Sequence, residues 1–352
     1  MAAMRVKRKA TASAASHLRS TAKEPGHEKG EGKITRALKP TVSIIGVGRL
    51  GSALALALQA CGYSIEAIAA RRLSHAQRAA RILDPPPTHV LSAARLEQFP
   101  LTDLTFITTP DDSISHIAAQ LAARVAPIAS GQTALHMSGA LSSAVLRPLA
   151  DVGYSIASLH PLISVSDSVR GAKSLRQAFY CVEGERQAVA NARRIVRDFG
   201  AQSFTIGAEH KTLYHAAAVM ASGHLVALFD AASGMLAQCG LSQARARTVL
   251  LPLVQSTIDN LSTHEPAHAL TGSFARADVE TIRRHLNALS AAAQSDELRN
   301  ALEIYILLGA RSLQLAQRNG ASRAALKEIS NALEEATRSM KQCGKAKSGG
   351  RK

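Results

Sequence analysis

Apolar residues in the first two thirds of the chain form short runs that alternate with longer segments of helical periodicity. The first run, Thr41–Ile45, is β-branched and leads through a glycine-containing turn into an Ala/Leu-rich segment that begins at Ser52. Later runs predict strands over Ser64–Ala70, Leu104–Thr108, Ala134–Met137, Ser155–Leu159, Ala178–Val182 and Ser203–Ile206, with helices over Ser74–Leu83, Ser113–Val125 and Glu185–Phe199. Strands that alternate with helices are typical of a mostly parallel α/β sheet.

Beyond Gly207 the sequence shows only helical patterns. The predicted helices are Lys211–Ala237, Leu241–Leu261, Asp278–Ala293, Asp296–Arg318 and Arg323–Lys341. We therefore expect a sheet domain over residues 40–206 and a helical domain over residues 207–340, flanked by disordered basic tails at 1–39 and 341–352.

The positive charge lies mainly in the two tails. The chain has 42 Lys and Arg against 26 Asp and Glu, a formal net charge of +16, and most of this excess falls in residues 1–39 and 341–352. The remaining body is close to an ordinary charge balance, which argues against a nucleic-acid-binding fold. The tails remain open to three interpretations: a weak contact with nucleic acid or an anionic surface, an organellar transit peptide at the Ser- and Arg-rich N-terminus, or a plain extension.

Cysteine usage and hydropathy exclude further classes of protein. The four cysteines stand apart, without a Cys-x-x-Cys pair or a short Cys/His spacing, so we expect neither a disulfide framework nor a metal site. The most apolar segment, residues 215–236, is interrupted by His224 and Asp230, which favours a buried helix over a membrane span. We expect a cytoplasmic protein with a small-molecule substrate.

A glycine-rich turn follows the first strand. Gly46, Gly48 and Gly51 form a Gly-x-Gly-x-x-Gly pattern that also contains Arg49 and Leu50. In this strand–turn–helix context the pattern predicts a dinucleotide site, because the backbone can approach a pyrophosphate and the helix offers free N–H groups. The alternative is a turn in which the glycines serve only local packing.

The end of the second strand indicates which nicotinamide cofactor would bind. An NAD site is expected to hold an acidic residue there, but the sequence has Arg71, Arg72 and Ser74. Arginines and a hydroxyl suit a 2′-phosphate, so we favour NADP(H) over NAD(H), unless the two arginines are merely solvated. At the end of a later strand, Thr108, Thr109 and Pro110 are expected to border the ribose and nicotinamide, or Pro110 simply ends that strand.

Candidate catalytic residues follow other strands of the sheet. His136 and Ser138 lie at the end of one strand and His160 lies at the end of the next, which places all three at the carboxyl edge where ligands bind. The start of the helical region adds Lys211 and His215, four residues apart on one helical face that continues to Ser222. A partly desolvated lysine has a lowered pKa and suits proton donation. The alternatives are structural histidines and a first-turn lysine that points to water.

At these residues the chain resembles bacterial Rossmann-like proteins that carry the domain of unknown function 2520. The matching stretches, in order, are Ile45–Gly51, His136–Gly139, Ser158–Leu162, Lys211–Ser222, Leu270–Arg276 and His285–Leu286. The resemblance implies a doubly wound Rossmann-type sheet followed by an all-helical domain like that of 6-phosphogluconate dehydrogenase and pyrroline-5-carboxylate reductase relatives. It also implies dimerisation through the helices.

The resemblance carries over to single residues as well. β-Hydroxyacid dehydrogenase relatives have a catalytic lysine followed four residues later by an asparagine, and these positions correspond to Lys211 and His215. Gly223 stands where the family would have Asn, and Ser273 where it would have Pro. Arg276 could bind a substrate carboxylate of its own or a neighbouring subunit, or pair with a nearby acid.

Two functions are compatible with this sequence. The favoured one is an NADP-dependent oxidoreductase that acts on the carbonyl or imine of a small, carboxylate-bearing substrate. In it Lys211 is a proton donor or electrostatic anchor, and His160, Ser138 and His215 orient the substrate. His136, Ser222 and Arg276 contact the substrate. The alternative is a non-catalytic NADP-binding sensor or scaffold.

Overall fold

Eight strands form one sheet in the computed structural model, which describes residues 39–124, 131–293 and 295–349. The strands are β1 (Thr41–Ile45), β2 (Ser64–Ala70), β3 (His89–Ser92), β4 (Leu104–Ile107), β5 (Thr133–His136), β6 (Ser155–Pro161), β7 (Phe179–Gly184) and β8 (Gln202–Phe204). Their order across the sheet is β3-β2-β1-β4-β5-β6-β7-β8. The chain therefore adds β2 and β3 on one side of β1 and then adds β4 and the later strands on the other side. Ligands bind at such a switch point in doubly wound folds.

The first six strands are parallel, and β7 pairs with β6 in the antiparallel direction. The last strand, β8, lies parallel to β7. Because β1 to β6 all point the same way, the segments that follow β1, β2, β4, β5 and β6 meet at one edge of the sheet. The reversal at β7 was not predicted from the sequence, since apolar runs carry no information on strand direction.

Six helices cover the two faces of the sheet. They are α1 (Arg49–Ala60), α2 (Leu73–Ala80), α3 (Asp111–Ala122), α4 (Arg147–Ala150), α5 (Ser168–Leu175) and α6 (Arg186–Asp198). Successive residues of β1 serve opposite faces: Ile44 packs in one hydrophobic core with Leu54 of α1, and Ile45 packs in the other with Ile114 of α3. Burial on both faces explains why the strands read as continuous apolar runs rather than alternating ones.

The chain after β8 is helical. Its helices are α7 (Lys211–Ala221), α8 (Gly223–Gln238), α9 (Gln243–Thr263), α10 (Pro266–Ala269), α11 (Gly272–Ala275), α12 (Val279–Ala292), α13 (Asp296–Arg318) and α14 (Arg323–Gly349). A third hydrophobic core joins α12, α13 and α14 through Ile282, Leu302 and Ile329. The predicted fold class, a doubly wound sheet followed by a helical region, is confirmed.

The apolar helix that we expected to be buried is exposed in this chain. Of the described residues, the stretch Ala208–Gln238 is apolar and long enough to cross a membrane by length and composition, with a mean hydropathy of 1.4, and only 6% of its most apolar window is buried. The expectation was wrong because periodicity cannot say what covers an apolar face. The stretch is broken at Ser222, where the backbone leaves helical geometry, and α8 packs against α9 and α13.

Other differences from the sequence analysis are local. The short elements β3 and α5 were not predicted, and α3 begins at Asp111 instead of Ser113. The last helix continues to Gly349, through most of the segment assigned to a basic tail, since its Lys, Gln and Ala residues are good helix formers and lysines favour a helix C-terminus. Residues 1–38 and the predicted helix end at Val125 lie outside the described residues.

Candidate functional site

The three glycines after β1 have different structural roles. Gly46 has φ +105°, and a Cβ there would lie 2.7 Å from the backbone of Thr108 and Thr109. A Cβ at Gly51 would lie 2.5 Å from the Gly46 carbonyl oxygen, so these two glycines let α1 pack closely on the ends of β1 and β4. At Gly48 the nearest atom to a Cβ is 4.0 Å away, which leaves the backbone accessible. Gly48 is therefore the position where a ligand can approach the turn.

A cleft of about 510 Å³ opens beside this turn, at the switch point between β1 and β4. Its volume is within the range of small-molecule and cofactor sites. Of the predicted cofactor residues, those that line the cleft are Gly46, Gly48, Arg71, Thr108, Thr109 and Pro110. The segments after β1, β2 and β4 thus meet around one cavity, as the parallel order requires.

The cleft fits an anionic dinucleotide. The first turn of α1 contains no acidic residue, so its N–H groups and positive dipole end are available to a phosphate. Thr109 Oγ1 is buried and has no hydrogen-bond partner among the described residues, which suits a polar ligand atom. The residues that would hold the dinucleotide are the Gly46–Gly48 backbone, the start of α1, Arg71 and Thr109.

Five predicted cofactor residues do not line the cleft. Arg49, Arg72 and Ser74 are exposed beside it, Leu50 packs partly buried against the sheet core, and Gly51 is buried against the Gly46 carbonyl. The cleft instead gains polar residues that the sequence analysis missed, namely His75, Ser113, His116 and Gln120. The last three lie at positions i, i+3 and i+7 of α3, so helical periodicity would have placed them on one face.

Ser138 fixes the corner that follows β5. Its hydroxyl donates a hydrogen bond to Asp111 Oδ2 (2.8 Å) and accepts hydrogen bonds from the N–H groups of Ala140 (3.2 Å) and Leu141 (3.0 Å). These three bonds use the capacity of the hydroxyl, so Ser138 holds the backbone instead of contacting a substrate. Asp111 directly follows Pro110, and the Ser138–Asp111 bond therefore ties this corner to the edge of the cleft.

Lys211 lies beneath the same corner. It is only 1% exposed, and its Nζ donates hydrogen bonds to Ser158 Oγ (2.8 Å) and to the Ser138 carbonyl oxygen (3.3 Å). Burial lowers the pKa of Lys211, while Cys181, Glu183 and Asp111 partly oppose that change. The expected desolvation is present, but the ammonium group is enclosed by protein, which favours an electrostatic role over direct contact with a substrate.

Two imidazole rings meet over Gly139. A Cβ at Gly139 would lie 2.8 Å from His160 Nε2 and closer still to His215 Nδ1, so only glycine leaves room for both rings. The ring centroids of His160 and His215 are 5.5 Å apart in an edge-to-face arrangement. His215 Nδ1 is buried without a hydrogen-bond partner in the part of the chain that the structure describes. Two of the predicted catalytic residues, His160 and His215, thus lie together beside Ser138.

Both strand-end histidines are neutral near pH 7. Burial, followed by the charge of Lys211, lowers the pKa of His160 to about 3 and that of His136 to about 4. The side chain of His136 is fully buried: its Nδ1 accepts from the Ser138 N–H (3.2 Å) and its Nε2 lies 3.1 Å from the Ser142 carbonyl oxygen. The prediction that His136 contacts substrate is therefore replaced by a structural role, since its strand position directs the ring into the protein.

His160, His215 and Lys211 form a histidine cluster around the Ser138–Gly139 corner, and two predicted substrate residues lie apart from it. Ser222 is exposed at the far end of α7, about 16 Å along the helix axis from Lys211. Arg276 is exposed at the end of α11. Hydrogen bonds from Thr281 lower the pKa of Asp278 most, and the charge of Arg276 makes a smaller contribution in the same direction. Among the described residues, neither Ser222 nor Arg276 contacts a member of the histidine cluster.

Four further residues of the site were not predicted from the sequence. Asp111 accepts a hydrogen bond from Ser138, the Tyr214 hydroxyl is hydrogen-bonded with His160, and Glu183 and the buried Cys181 lie near Lys211. These contacts join residues between 27 and 73 positions apart, so no local pattern signals them. The described residues hold no group of three or more His, Cys, Asp or Glu arranged for a metal ion. The arrangement can bind an anionic nucleotide beside two imidazole rings and one buried positive charge.

The comparisons with known proteins agree with this architecture. A structure from Thermotoga maritima covers 79% of this chain and 99% of its own, with 22% identity and a TM-score of 0.60. A candidate NADP oxidoreductase from Bacteroides fragilis covers 78% and 98%, with 19% identity and a TM-score of 0.64. Both likenesses show a shared fold. No curated protein matches the sequence.

Two family models match consecutive parts of the chain. A Rossmann-like domain matches residues 26–161, and the domain of unknown function 2520 matches residues 178–312. The first match contains the glycine turn, the cleft and the Ser138 corner, and the second contains Lys211, Tyr214 and His215. The chain therefore combines a Rossmann-like domain with the domain of unknown function 2520.

Proposed function

We propose that this protein is an NADP-dependent oxidoreductase that reduces the carbonyl or imine of a small, carboxylate-bearing substrate. The observation that carries the proposal is the direct connection between the cleft and the histidine cluster, through Asp111 and Ser138. A nucleotide cleft alone would fit many functions. A cleft joined at its edge to two imidazoles and a buried ammonium group fits a reaction in which charge develops on a substrate oxygen or nitrogen.

The preference for NADP(H) rests on the end of β2. Arg71 lines the cleft at the position where an NAD site would hold a carboxylate, and His75 lies one helical turn further along. A guanidinium group binds a phosphate through two parallel hydrogen bonds, whereas it gives no comparable contact to a ribose hydroxyl. The Bacteroides relative with the same fold is named as a candidate NADP oxidoreductase, which is consistent with this choice.

The chemistry divides between the cofactor and the chain. A bound reduced nicotinamide would supply a hydride, and a proton from solvent would complete the reduction of the carbonyl or imine. His160, neutral at pH 7, donates a hydrogen bond to the substrate oxygen or nitrogen, and His215 contacts the same group from the other side of Gly139. Lys211 stabilises the developing negative charge from beneath the corner, and Ser138 holds that corner in place.

We also propose that the protein forms a homodimer through its helical region, with a second copy covering the apolar face of α7 to α9. Leu213, Met220, Val226, Leu251 and Leu253 are each more than 60% exposed there. A soluble monomer rarely exposes so large an apolar surface. The break at Ser222 and the packing of α8 on α9 and α13 disfavour a membrane span as the alternative. In such a dimer, Arg276 would be available to a substrate carboxylate of its own or the neighbouring subunit.

Oxidation of NADPH with a panel of 2-keto acids and carboxylate-bearing cyclic imines tests the proposed reaction. We expect turnover with at least one compound, and a loss of about 10²- to 10³-fold in kcat for Lys211→Ala and His160→Ala, since each removes a stabilising group. Lys173→Ala, which removes an exposed lysine of α5, is the matched control. NADPH binding without turnover on any compound would instead support the non-catalytic sensor, and full turnover by Lys211→Ala would contradict the assigned role.

A further inference from the structure

Tyr214 lies behind His160, on the side away from Gly139. The Tyr214 hydroxyl oxygen is 2.7 Å from His160 Nδ1, and the two rings meet edge to face at 5.5 Å. Phe204 of β8 packs against the other side of the tyrosine ring at 6.0 Å. Because Tyr214 is held by neighbours from β6 and β8, its hydroxyl has a fixed position relative to the imidazole.

The thiol of Cys181 lies near the same hydroxyl group. Cys181 is fully buried on β7, directly across from His160 in the β6–β7 pair, and this burial raises the pKa of its thiol. A tyrosine hydroxyl has a single proton to donate, and an imidazole nitrogen is a much stronger acceptor than a thiol sulfur. The hydroxyl therefore donates its proton to His160 Nδ1 and not to the thiol.

We propose that Tyr214 is a positioning residue that fixes the tautomer of His160, so that His160 Nε2 carries the proton and faces the site over Gly139. The proposal deepens the proposed function, because it concerns the histidine to which that function gives the substrate contact.

A fixed Nε2–H group selects the substrate atom it can bind. The groups that face His160 are Lys211, His215 and His136, and none of them carries a negative charge. A neutral imidazole that donates from Nε2 needs an acceptor with a lone pair, as a carbonyl oxygen or an unprotonated imine nitrogen has. A protonated iminium group has no lone pair and would be repelled by Lys211. The substrate class is therefore an uncharged carbonyl or imine group.

The helical region contains a matched pair for comparison. Tyr305 and His285 form the same contact, with the hydroxyl oxygen 2.8 Å from Nδ1 and the ring centroids 6.0 Å apart, but His285 is exposed. Tyr305→Phe therefore removes an equivalent hydroxyl group away from the cluster. It controls for the general effect of losing a tyrosine–histidine hydrogen bond.

Nitrogen-15 NMR of the full chain with labelled histidine tests the proposal, with the His160 signals assigned from His160→Asn. We expect the wild-type protein to show His160 in the Nε2–H form at pH 7. In Tyr214→Phe the ratio of the Nε2–H to the Nδ1–H form should fall by about five- to tenfold, the effect of one hydrogen bond of ordinary strength. Tyr305→Phe should leave the His160 signals unchanged.

A wild-type His160 in the Nδ1–H form, or a ratio that Tyr214→Phe leaves unchanged, would overturn the proposal. The wild-type spectrum decides the first point even if the variant does not fold. Tyr214→Phe keeps the ring and its packing, and circular dichroism checks its fold. NADPH oxidation is measured on the same samples: absent turnover with the expected tautomer refutes the proposed function and leaves the positioning role intact.

Discussion

Ser138 Oγ donates a hydrogen bond of 2.8 Å to Asp111 Oδ2, and this contact joins two segments that follow neighbouring strands of the sheet. Asp111 begins α3 at the edge of the nucleotide cleft, and Ser138 begins the corner above Lys211. This bond between two short side chains, together with the β4–β5 pairing, holds the histidine cluster beside the cleft.

Ser138→Ala is expected to lower the free energy of unfolding by about 1–3 kcal/mol. The change leaves the Ala140 and Leu141 N–H groups and the exposed Asp111 carboxylate without their partner in a partly buried corner. Urea denaturation measures the loss. Ser174→Ala, which removes an exposed hydroxyl bonded to the Arg170 carbonyl, should cost less than about 0.5 kcal/mol. Equal effects of the two substitutions would show that the corner does not depend on Ser138.

Gly139→Ala is expected to displace His160 and His215, because the added methyl group would overlap both imidazoles. NADPH binding should remain within about twofold, since Gly139 does not line the cleft, while turnover of an identified substrate should fall by about 10²-fold or more. Gly223→Ala is the matched control. Its Cβ would lie 3.9 Å from Val219, and alanine is the better helix former at that position. Full turnover by Gly139→Ala would exclude the two rings from the reaction.

His136 makes stability depend on pH. Its pKa is lowered to about 4 in the folded protein against about 6.5 in an unfolded chain, so the unfolded state binds the proton first as pH falls. The free energy of unfolding should therefore decrease as pH drops below about 6.5. His136→Asn should reduce this slope by about 1.4 kcal/mol per pH unit between about pH 6.5 and 5.

Urea denaturation at a series of pH values measures the difference in slope between wild-type protein and His136→Asn. The exposed His264→Asn provides the comparison for a histidine replaced at the surface. If the His136→Asn and wild-type curves run parallel over that range, the buried neutral histidine is not the source of the acid sensitivity.

The apolar face of α7 to α9 predicts a dimer in solution. Sedimentation of the wild-type protein should give twice the 37.1 kDa chain mass, and Met220→Asp combined with Val226→Asp should give the monomer, because a charge in a dry interface is strongly unfavourable. Leu101→Asp combined with Val169→Asp places the same charges on exposed apolar positions of the sheet domain and should remain dimeric. A wild-type monomer that floats with lipid vesicles would favour a membrane contact instead.

The sequence predicted the sheet and the glycine turn because these depend on local patterns. The run Thr41–Ile45, the turn at Gly46 and the helix that follows lie within twenty residues, and the structure forms them as expected. The partners within the histidine cluster are set by the sheet order instead. Lys211 meets Ser138 across 73 residues and His160 meets Tyr214 across 54, so periodicity could identify these residue types but not their contacts. The burial of Lys211 and the bonded state of the Ser138 hydroxyl follow only from packing.

The central claim is that the cleft binds NADP(H) through the end of β2. Titration with NADPH and NADH, followed by nicotinamide fluorescence, tests it most directly. We predict micromolar binding of NADPH, weaker binding of NADH, and a loss of at least about tenfold, about 1.4 kcal/mol, for NADPH in Arg71→Ala/Arg72→Ala. Arg78→Ala/Arg81→Ala removes the same charge from exposed positions further along α2 and should retain affinity. Failure to bind either nucleotide, or equal affinity for both, would contradict the account.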